Sequence, residues 1–327
     1  MMRGFSLAVL LVSSATGFKF NPDNDASPFT PKVPTTYELT ESQTLGGSYY
    51  VGSFLTTSDS KQYFVMSHVQ TLTQRTQVRH SVLDISDPSQ YWKSFVVEAA
   101  VVPKNSTKGP VQYIFGDYGF SAPTEDAVSS MQTWASTTDY SFNISFDATS
   151  TAIQNLGTGT FLWGSGLTNQ WSLPACRTEG TLSIAGNALT IDPENSFTWY
   201  DRQWSSGRPS NFTWFGLRFP DSKTSLSVWA FDYGTTERRL ATARTPHGDL
   251  LLTHTLHADT NNTWTSPSTN NTYPSRWTLD FQNGDHLVIT AVRPDQEAGT
   301  ALTAFANVEG TFLGSSGGAG VVDVIFT

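Results

Sequence analysis

The sequence predicts an all-β protein of two consecutive antiparallel barrel or sandwich domains with few short helices. Three observations carry that expectation. Charged residues are 14% of the 327, so the polar positions fall largely to Ser, Thr, Asn and Gln, a mix better suited to sheets than to Glu-, Lys- and Leu-rich helices. Short runs alternate apolar and polar residues at period two between turn-rich links. Helical patterns are scarce, and Thr124 to Ala135 is the best short candidate.

The chain opens on MMRGFSLAVLLVSSATGFKF. Arg3 supplies a short positive region, Phe5 to Val12 an apolar run too short to span a bilayer, and Ala15 and Gly17 small residues for cleavage. Residues 1–17 therefore read as a secretory signal peptide. Asn21 to Thr36, with four prolines, reads as an extended lead-in. Gln62 to Leu72 is strand-like, with Phe64, Met66 and His68 on one face. Cys176 to Ile184 reads as a strand, and a boundary near Gly186 would divide residues 18–185 from a second domain at 186–327. Ser225 to Tyr233 alternates again. Trp277, Leu279 and Phe281 mark a half-buried strand, and Asn283-Gly284-Asp285 turns it into His286 to Val292, a hairpin. A single large closed array is the rival architecture.

Bulk properties exclude some partners. A formal net charge of −9 with no basic run argues against nucleic acid. No second apolar run approaches the ~20 residues of a membrane span, so no membrane anchor is expected. Five N-x-S/T sequons, at Asn105, Asn143, Asn211, Asn261 and Asn270, join the signal sequence in predicting a secreted glycoprotein. Cys176 is the only cysteine, which excludes an intramolecular disulfide and suits a small buried hydrophobe.

The segment FTWYDRQWSSGRPSNFTWFGLRF, Phe197 to Phe219, concentrates candidate chemistry. In an extended strand Asp201 and Arg202 point to opposite faces. One face carries Phe197, Trp199, Asp201 and Gln203; the other carries Tyr200, Arg202 and Trp204. A carboxyl group among aromatics loses hydration and holds its proton towards neutral pH, so Asp201 could serve as an acid and then a base. A structural corner tied down by Asp201 and Arg202, a sugar-binding face of exposed Trp, and a catalytic pocket wall compete here. A glycosidase pair among Asp201, Asp232 and Glu309 has no supporting spacing. His254 and His257 fall on opposite faces of a strand, so no zinc pair or other metal site is expected. His68 is either a satisfied core histidine or a pocket acid–base.

The run Trp199-Tyr200-Asp201-Arg202-Gln203-Trp204 resembles the signature of the carotenoid hydratase (hydroxyneurosporene synthase) and AttH-like superfamily. Asn307-Val308-Glu309-Gly310, a Gly-rich turn and Val321-Val322-Asp323 are similar to its closing strands. Signal sequence, sequons and length match its secreted branch of kievitone hydratase and hetero-Diels–Alderase-like enzymes. The resemblance implies two lipocalin-like barrels, an apolar pocket at or near their junction, and no organic cofactor. It also implies a small apolar natural-product substrate, a terpenoid or polyketide, that is hydrated, dehydrated or cyclised. In a hydratase Asp201 would protonate an alkene, Trp199 and Trp204 would steady the cation, and His68 or Asp201 would activate water. In a cyclase Arg202 or Gln203 would polarise a carbonyl. Tyr200, Trp214, Trp229 and Phe231 complete the candidate substrate-binding set. Ser205 stands where members often have Gly, and Asp323 where Glu is expected. A non-catalytic carrier or carbohydrate-binding glycoprotein is the second class of reading. The sequence does not address the oligomeric state.

Overall fold

Two large antiparallel sheets packed through their outer faces, with a small two-stranded one of Thr263–Thr265 and Thr272–Pro274, dominate this computed structural model, which describes residues 17–24, 35–101 and 109–326. The expected signal sequence up to residue 16, and Asn105, lie outside the described residues. Across the first sheet the strands run Tyr91–Ala99, Arg75–Asp84, Gln62–Thr71, Ser48–Thr56, Phe197–Ser205, Gly166–Ile184, Tyr140–Asp147, Ser130–Ser136, Tyr118–Ala122 and Val111–Phe115. The sheet curls so that its inner face buries Tyr49, Val65, Val82, Phe120, Trp171 and Tyr200. Hydrogen bonds cross this core, Ser67 to Thr133 at 2.7 Å and His80 to Tyr140 at 2.7 Å.

The second sheet closes. From His286–Ala291 it passes through Arg276–Phe281, Gly248–Ala258, Thr236–Thr245, Thr224–Tyr233, Phe212–Phe219 and Ser315–Ile325 to Ala301–Phe312, which pairs back onto His286–Ala291. Eight strands leave an interior that side chains just fill, here Phe215, Leu226, Ala241, Leu279, Ile289 and Val322. This is the expected all-β architecture of two lipocalin-like units.

A third apolar layer lies between the sheets and includes Phe20, Phe54, Phe64, Trp199, Trp229 and Phe305. Phe54 stacks on Phe197 with ring centroids 4.5 Å apart, and Phe305 closes on Phe54 from the second sheet at 6.0 Å. Removing one such ring costs about 3–5 kcal/mol. The layer explains why Ser48–Thr56, Gln62–Thr71 and most of Thr224–Tyr233 are buried on both faces. Among the described residues no helix is long and apolar enough to cross a membrane.

Two expectations are corrected. Thr124 to Ala135 is not helical: Asp126 Oδ1 accepts the N–H groups of Val128 and Ser129, forming a side-chain-capped turn that competes with helix. Ser130–Ser136 then runs as a strand burying Met131, Thr133 and Ala135. Gly186 is a turn, but of a hairpin inside the first sheet, joining Gly166–Ile184 to Asn187–Thr190 at φ +81°. Phe197–Ser205 still belongs to the first sheet, and the chain crosses to the second between Ser205 and Phe212. Period-two alternation does not say which sheet a strand joins. The Asn283-Gly284-Asp285 hairpin forms as expected.

Candidate active site

Cross-strand register lays out the site. In the first sheet Arg79, His68, Tyr50, Asp201 and Ser172 are successive neighbours across five strands. Residues opposite one another in an antiparallel pair share a face, with Cβ atoms about 4.5–5.5 Å apart. In the second sheet Thr303, Asp323, Trp214 and Trp229 form a matching row. The two rows face each other. Arg79 pairs with Asp323 at 3.0 Å at one end, and Tyr50 meets Trp214 edge-to-face at 5.7 Å. Gly216 permits the close approach beneath them: a Cβ there would lie 2.9 Å from the Trp214 ring and 3.3 Å from Trp199. Between the rows opens a cavity of about 230 Å³ whose lining includes Tyr50, His68, Trp163, Asp201, Trp214 and Trp229.

Asp201 is the terminus of two hydrogen-bonded arms. Gln170 Nε2 donates to its Oδ2 at 2.7 Å, and Trp229 Nε1 donates to Gln170 Oε1 at 2.9 Å. On the other side Ser172 Oγ donates to Oδ1 and itself accepts from Asn155 Nδ2 at 2.9 Å. Ser227 Oγ donates to Asn155 Oδ1, and Trp214 Nε1 donates to Ser227 Oγ at 2.9 Å. Every donor in both arms is directed towards the carboxyl group, and each arm begins on an indole of the opposite sheet. Burial pushes the Asp201 pKa up to about 6 and the Asp323 charge adds to the rise, while the Ser172 and Gln170 bonds oppose it. Both carboxyl oxygens accept a bond from the protein, and Asp201 lines the cavity.

His68 has a fixed tautomer. Arg79 Nε donates to Nδ1 at 2.9 Å, and a guanidinium has only donors, so Nδ1 carries no proton. The ring proton sits on Nε2 and is donated to Ser48 Oγ at 2.7 Å. Burial, reinforced by the Arg79 charge, holds the His68 pKa well below the usual imidazole range. His68 is thus a neutral hydrogen-bond donor with its basic nitrogen occupied, which does not fit the expected role of activating water.

The aromatic–acidic motif divides between two duties. Gln203 stays with Asp201 on the cavity side and donates to Thr168 Oγ1 at 3.0 Å. Arg202 points the other way. It is fully buried, donates to the carbonyls of Ser42, Leu45, Gly46, Ser48 and Gln203, and lies 4.1 Å over the Tyr49 ring. Arg202 is tied down by backbone carbonyls, whereas Asp201 lines the cavity. Tyr200 belongs to the first core and donates to Gln43 Oε1 at 2.7 Å, away from the cavity. Trp204 reaches the cavity rim while packing against Arg202 and Tyr37. Trp214 and Trp229 line the cavity; Trp199 is buried beneath it, and Phe231 backs Trp163 at 4.8 Å.

Asp232 and Glu309 are exposed and do not line this cavity. His254 Nε2 lies 3.1 Å from the Trp229 carbonyl. Among the described residues no His, Cys, Asp and Glu cluster is arranged to hold a metal ion. Asn143, Asn211, Asn261 and Asn270 are exposed. Sequence reasoning missed Tyr50, Arg79, Gln170 and Ser172. Their only local signal was membership of alternating strands, and their convergence is a matter of register.

The sequence model of the AttH-like family matches residues 54–324. The chain is 31% identical over 327 residues to kievitone hydratase of Fusarium solani subsp. phaseoli, covering 95% of this chain and 91% of the relative. It is 30% identical over 342 residues to dehydratase asqC of Emericella nidulans, covering 98% of each. The crystal structure of kievitone hydratase from Nectria haematococca superposes with a TM-score of 0.89 at 31% identity, covering 95% of this chain and 99% of that one. CghA shares the fold alone, with a TM-score of 0.57 at 8% identity over 94% of this chain and 97% of that one.

Proposed function

This chain belongs to the AttH-like family, and from that premise we propose that it is a cofactor-independent hydro-lyase of natural-product metabolism. It adds water to, or removes it from, an apolar terpenoid or polyketide held between the two sheets. The observation that carries this reading is Asp201: a buried carboxyl group with its pKa near 6, both oxygens held by donors, facing an indole-lined cavity.

In the hydration direction the Asp201 O–H bond breaks as its proton forms a C–H bond with one alkene carbon. The positive charge left on the more substituted carbon faces the Trp163, Trp214 and Trp229 rings, which are attractive to cations. Water adds to that carbon, and its proton returns to the Asp201 carboxylate, restoring the acid. Dehydration is the reverse. The relatives' names, a hydratase and a dehydratase, support both directions.

Hetero-Diels–Alder cyclisation, or carriage without turnover, would use the apolar cavity but would not need a buried acid so held. Nor is Arg202 free to polarise a carbonyl. Incubation with a panel of prenylated phenols and hydroxylated terpenoids, read by mass spectrometry, tests the assignment. Products differing by one water support it. Products of unchanged mass would assign a cyclase, and ligands recovered unaltered a carrier.

Export as a glycoprotein belongs to the same proposal. Phe18 and Phe20, just beyond the expected cleavage point, pack on Phe305 and Phe54, and four sequons are exposed. The intact mass of protein from a eukaryotic host's medium, before and after endoglycosidase, tests it. A chain retained in the cytosol at its unprocessed mass would contradict it.

A further inference from the structure

A second polar row runs beside the row that holds Asp201. Gln77, Gln70, Ser48, Gln203 and Gln170 are successive cross-strand neighbours in the first sheet. Each lies two residues from a member of the Asp201 row and so shares its face. Ser48 bonds His68, Gln203 donates to Thr168, and Gln170 donates to Asp201. The side-chain amides of Gln70 and Gln77 have no partner among the described residues, and both residues are partly exposed. They line a recess of about 50 Å³ that adjoins the cavity, the two sharing His68, Gln70, Arg208 and Ile325. Phe95 forms one side, its ring 2.5 Å from where a Cβ on Gly299 would lie.

Arg208 is the third unpartnered group there. It sits in the crossover between the sheets, on pinned backbone. Its carbonyl oxygen is 2.3 Å from where a Cβ on Gly164 would lie, and the nearby Ser206 exchanges hydrogen bonds with Leu167. The side chain is exposed, lines both cavity and recess, and makes no hydrogen bond or ion pair among the described residues. Arg79, also in the recess wall, is already bonded to His68, Thr303 and Asp323. No Asp or Glu is among the described residues that line the recess, so the Arg208 charge is uncompensated there. A guanidinium fork and two amides around one small space offer the N–H donors that suit a carboxylate.

We propose that this recess holds a carboxylate of the substrate, with Arg208 as its counter-ion and Gln70 and Gln77 as further donors. This rests on the hydro-lyase reading above and names its substrate class, an apolar acid. Two strand spacings and two residues separate Gln70 from Asp201, roughly 12 Å between backbones. The carboxylate is therefore held at the end of the molecule away from the reacting alkene and takes no part in proton transfer. Its role is to set which alkene carbon meets Asp201.

The test compares wild type, Arg208→Met, Gln70→Leu and Asp201→Asn. Calorimetric titration with octanoate and with octanol measures the head-group preference. Thermal unfolding and turnover of unsaturated terpenoid acids and their methyl esters accompany it. Wild type should bind octanoate about tenfold more tightly than octanol, a typical worth for hydrogen bonds to a charged group. Arg208→Met should lose that preference while keeping its Tm and its affinity for octanol, and Gln70→Leu should lose part of it. With the acids, Arg208→Met should raise KM about tenfold more than with the esters. No preference for octanoate in wild type, or one that survives Arg208→Met, would overturn the proposal. If Asp201→Asn keeps both the preference and turnover, the acid assignment fails and the recess stands. If hydration depends on Asp201 while Arg208→Met changes neither preference nor KM, the recess fails and the hydro-lyase reading stands.

Discussion

Arg79 and Asp323 join the two sheets, with Nη2 donating to Oδ1 at 3.0 Å inside a largely buried pair. Thr303 Oγ1 donates to the same oxygen at 2.5 Å and accepts from Arg79 Nη1 at 2.9 Å. Through Nε the same guanidinium holds the His68 ring. One residue therefore docks the sheets and fixes a histidine tautomer in the cavity wall.

Breaking this pair from either side should be costly, because the survivor is left as a buried, unpaired charge. Arg79→Met and Asp323→Ala should each lose about 3–5 kcal/mol in chemical denaturation. The double variant Arg79→Met/Asp323→Leu should recover much of that loss. Single variants within 1 kcal/mol of wild type would show that the pair is solvated.

Asp201 should leave a signature in the pH dependence of stability. Its folded pKa lies above its unfolded value, so the native state holds a proton that the unfolded chain has released. Its contribution is therefore most favourable near pH 4 and declines as pH rises to about 6, by roughly 3 kcal/mol at most. His68, with a depressed folded pKa, acts in the opposite sense as pH falls below its ordinary value. The stability difference between wild type and Asp201→Asn isolates the first effect: wild type should lose ground to the variant between pH 4 and 7. A pH-independent difference would refute the raised pKa.

Burial raises that pKa, and Gln170 joins Ser172 in limiting the rise. Its amide stabilises the charged form through Oδ2, and Trp229 orients it. In Gln170→Leu the carboxyl group loses that donor, so its pKa should climb further. The fall in kcat/KM on the alkaline side should then move to higher pH, by about one unit. A shift to lower pH would contradict the direction of the bond.

Arg202 makes a contrasting prediction. Five carbonyls surround its guanidinium on the face away from the cavity. Arg202→Met should lower stability by several kcal/mol, and Arg202→Lys should rescue little because an ammonium cannot reproduce the fork. The kcat per folded molecule should stay near wild type. A selective loss of kcat with normal Tm would return Arg202 to the chemistry.

The contrast between Asp201 and Arg202 shows what the chain discloses before it folds. Strand alternation separated the two faces correctly, because side-chain direction in an extended strand is local. The all-β class and the Trp277–Phe281 hairpin were legible for the same reason. The tying-down of Arg202 was not, since its acceptors at Ser42 to Ser48 are about 155 residues away in sequence. Tyr50, Arg79 and Ser172 were hidden likewise: register, not local pattern, brings them into one row with Asp201. Thr124 to Ala135 misled because Asp126 satisfies backbone N–H groups that a helix would have used.

The measurement that tests the central claim most directly is turnover of the converted panel compound by Asp201→Asn, with Asp201→Glu alongside and folding checked by Tm. A neutral amide keeps the shape and removes the transferable proton. Asp201→Asn should lower kcat by about 10²–10⁴-fold, with partial activity in Asp201→Glu. An Asn variant that is folded and within a few-fold of wild type would contradict the assignment of Asp201 as the proton donor.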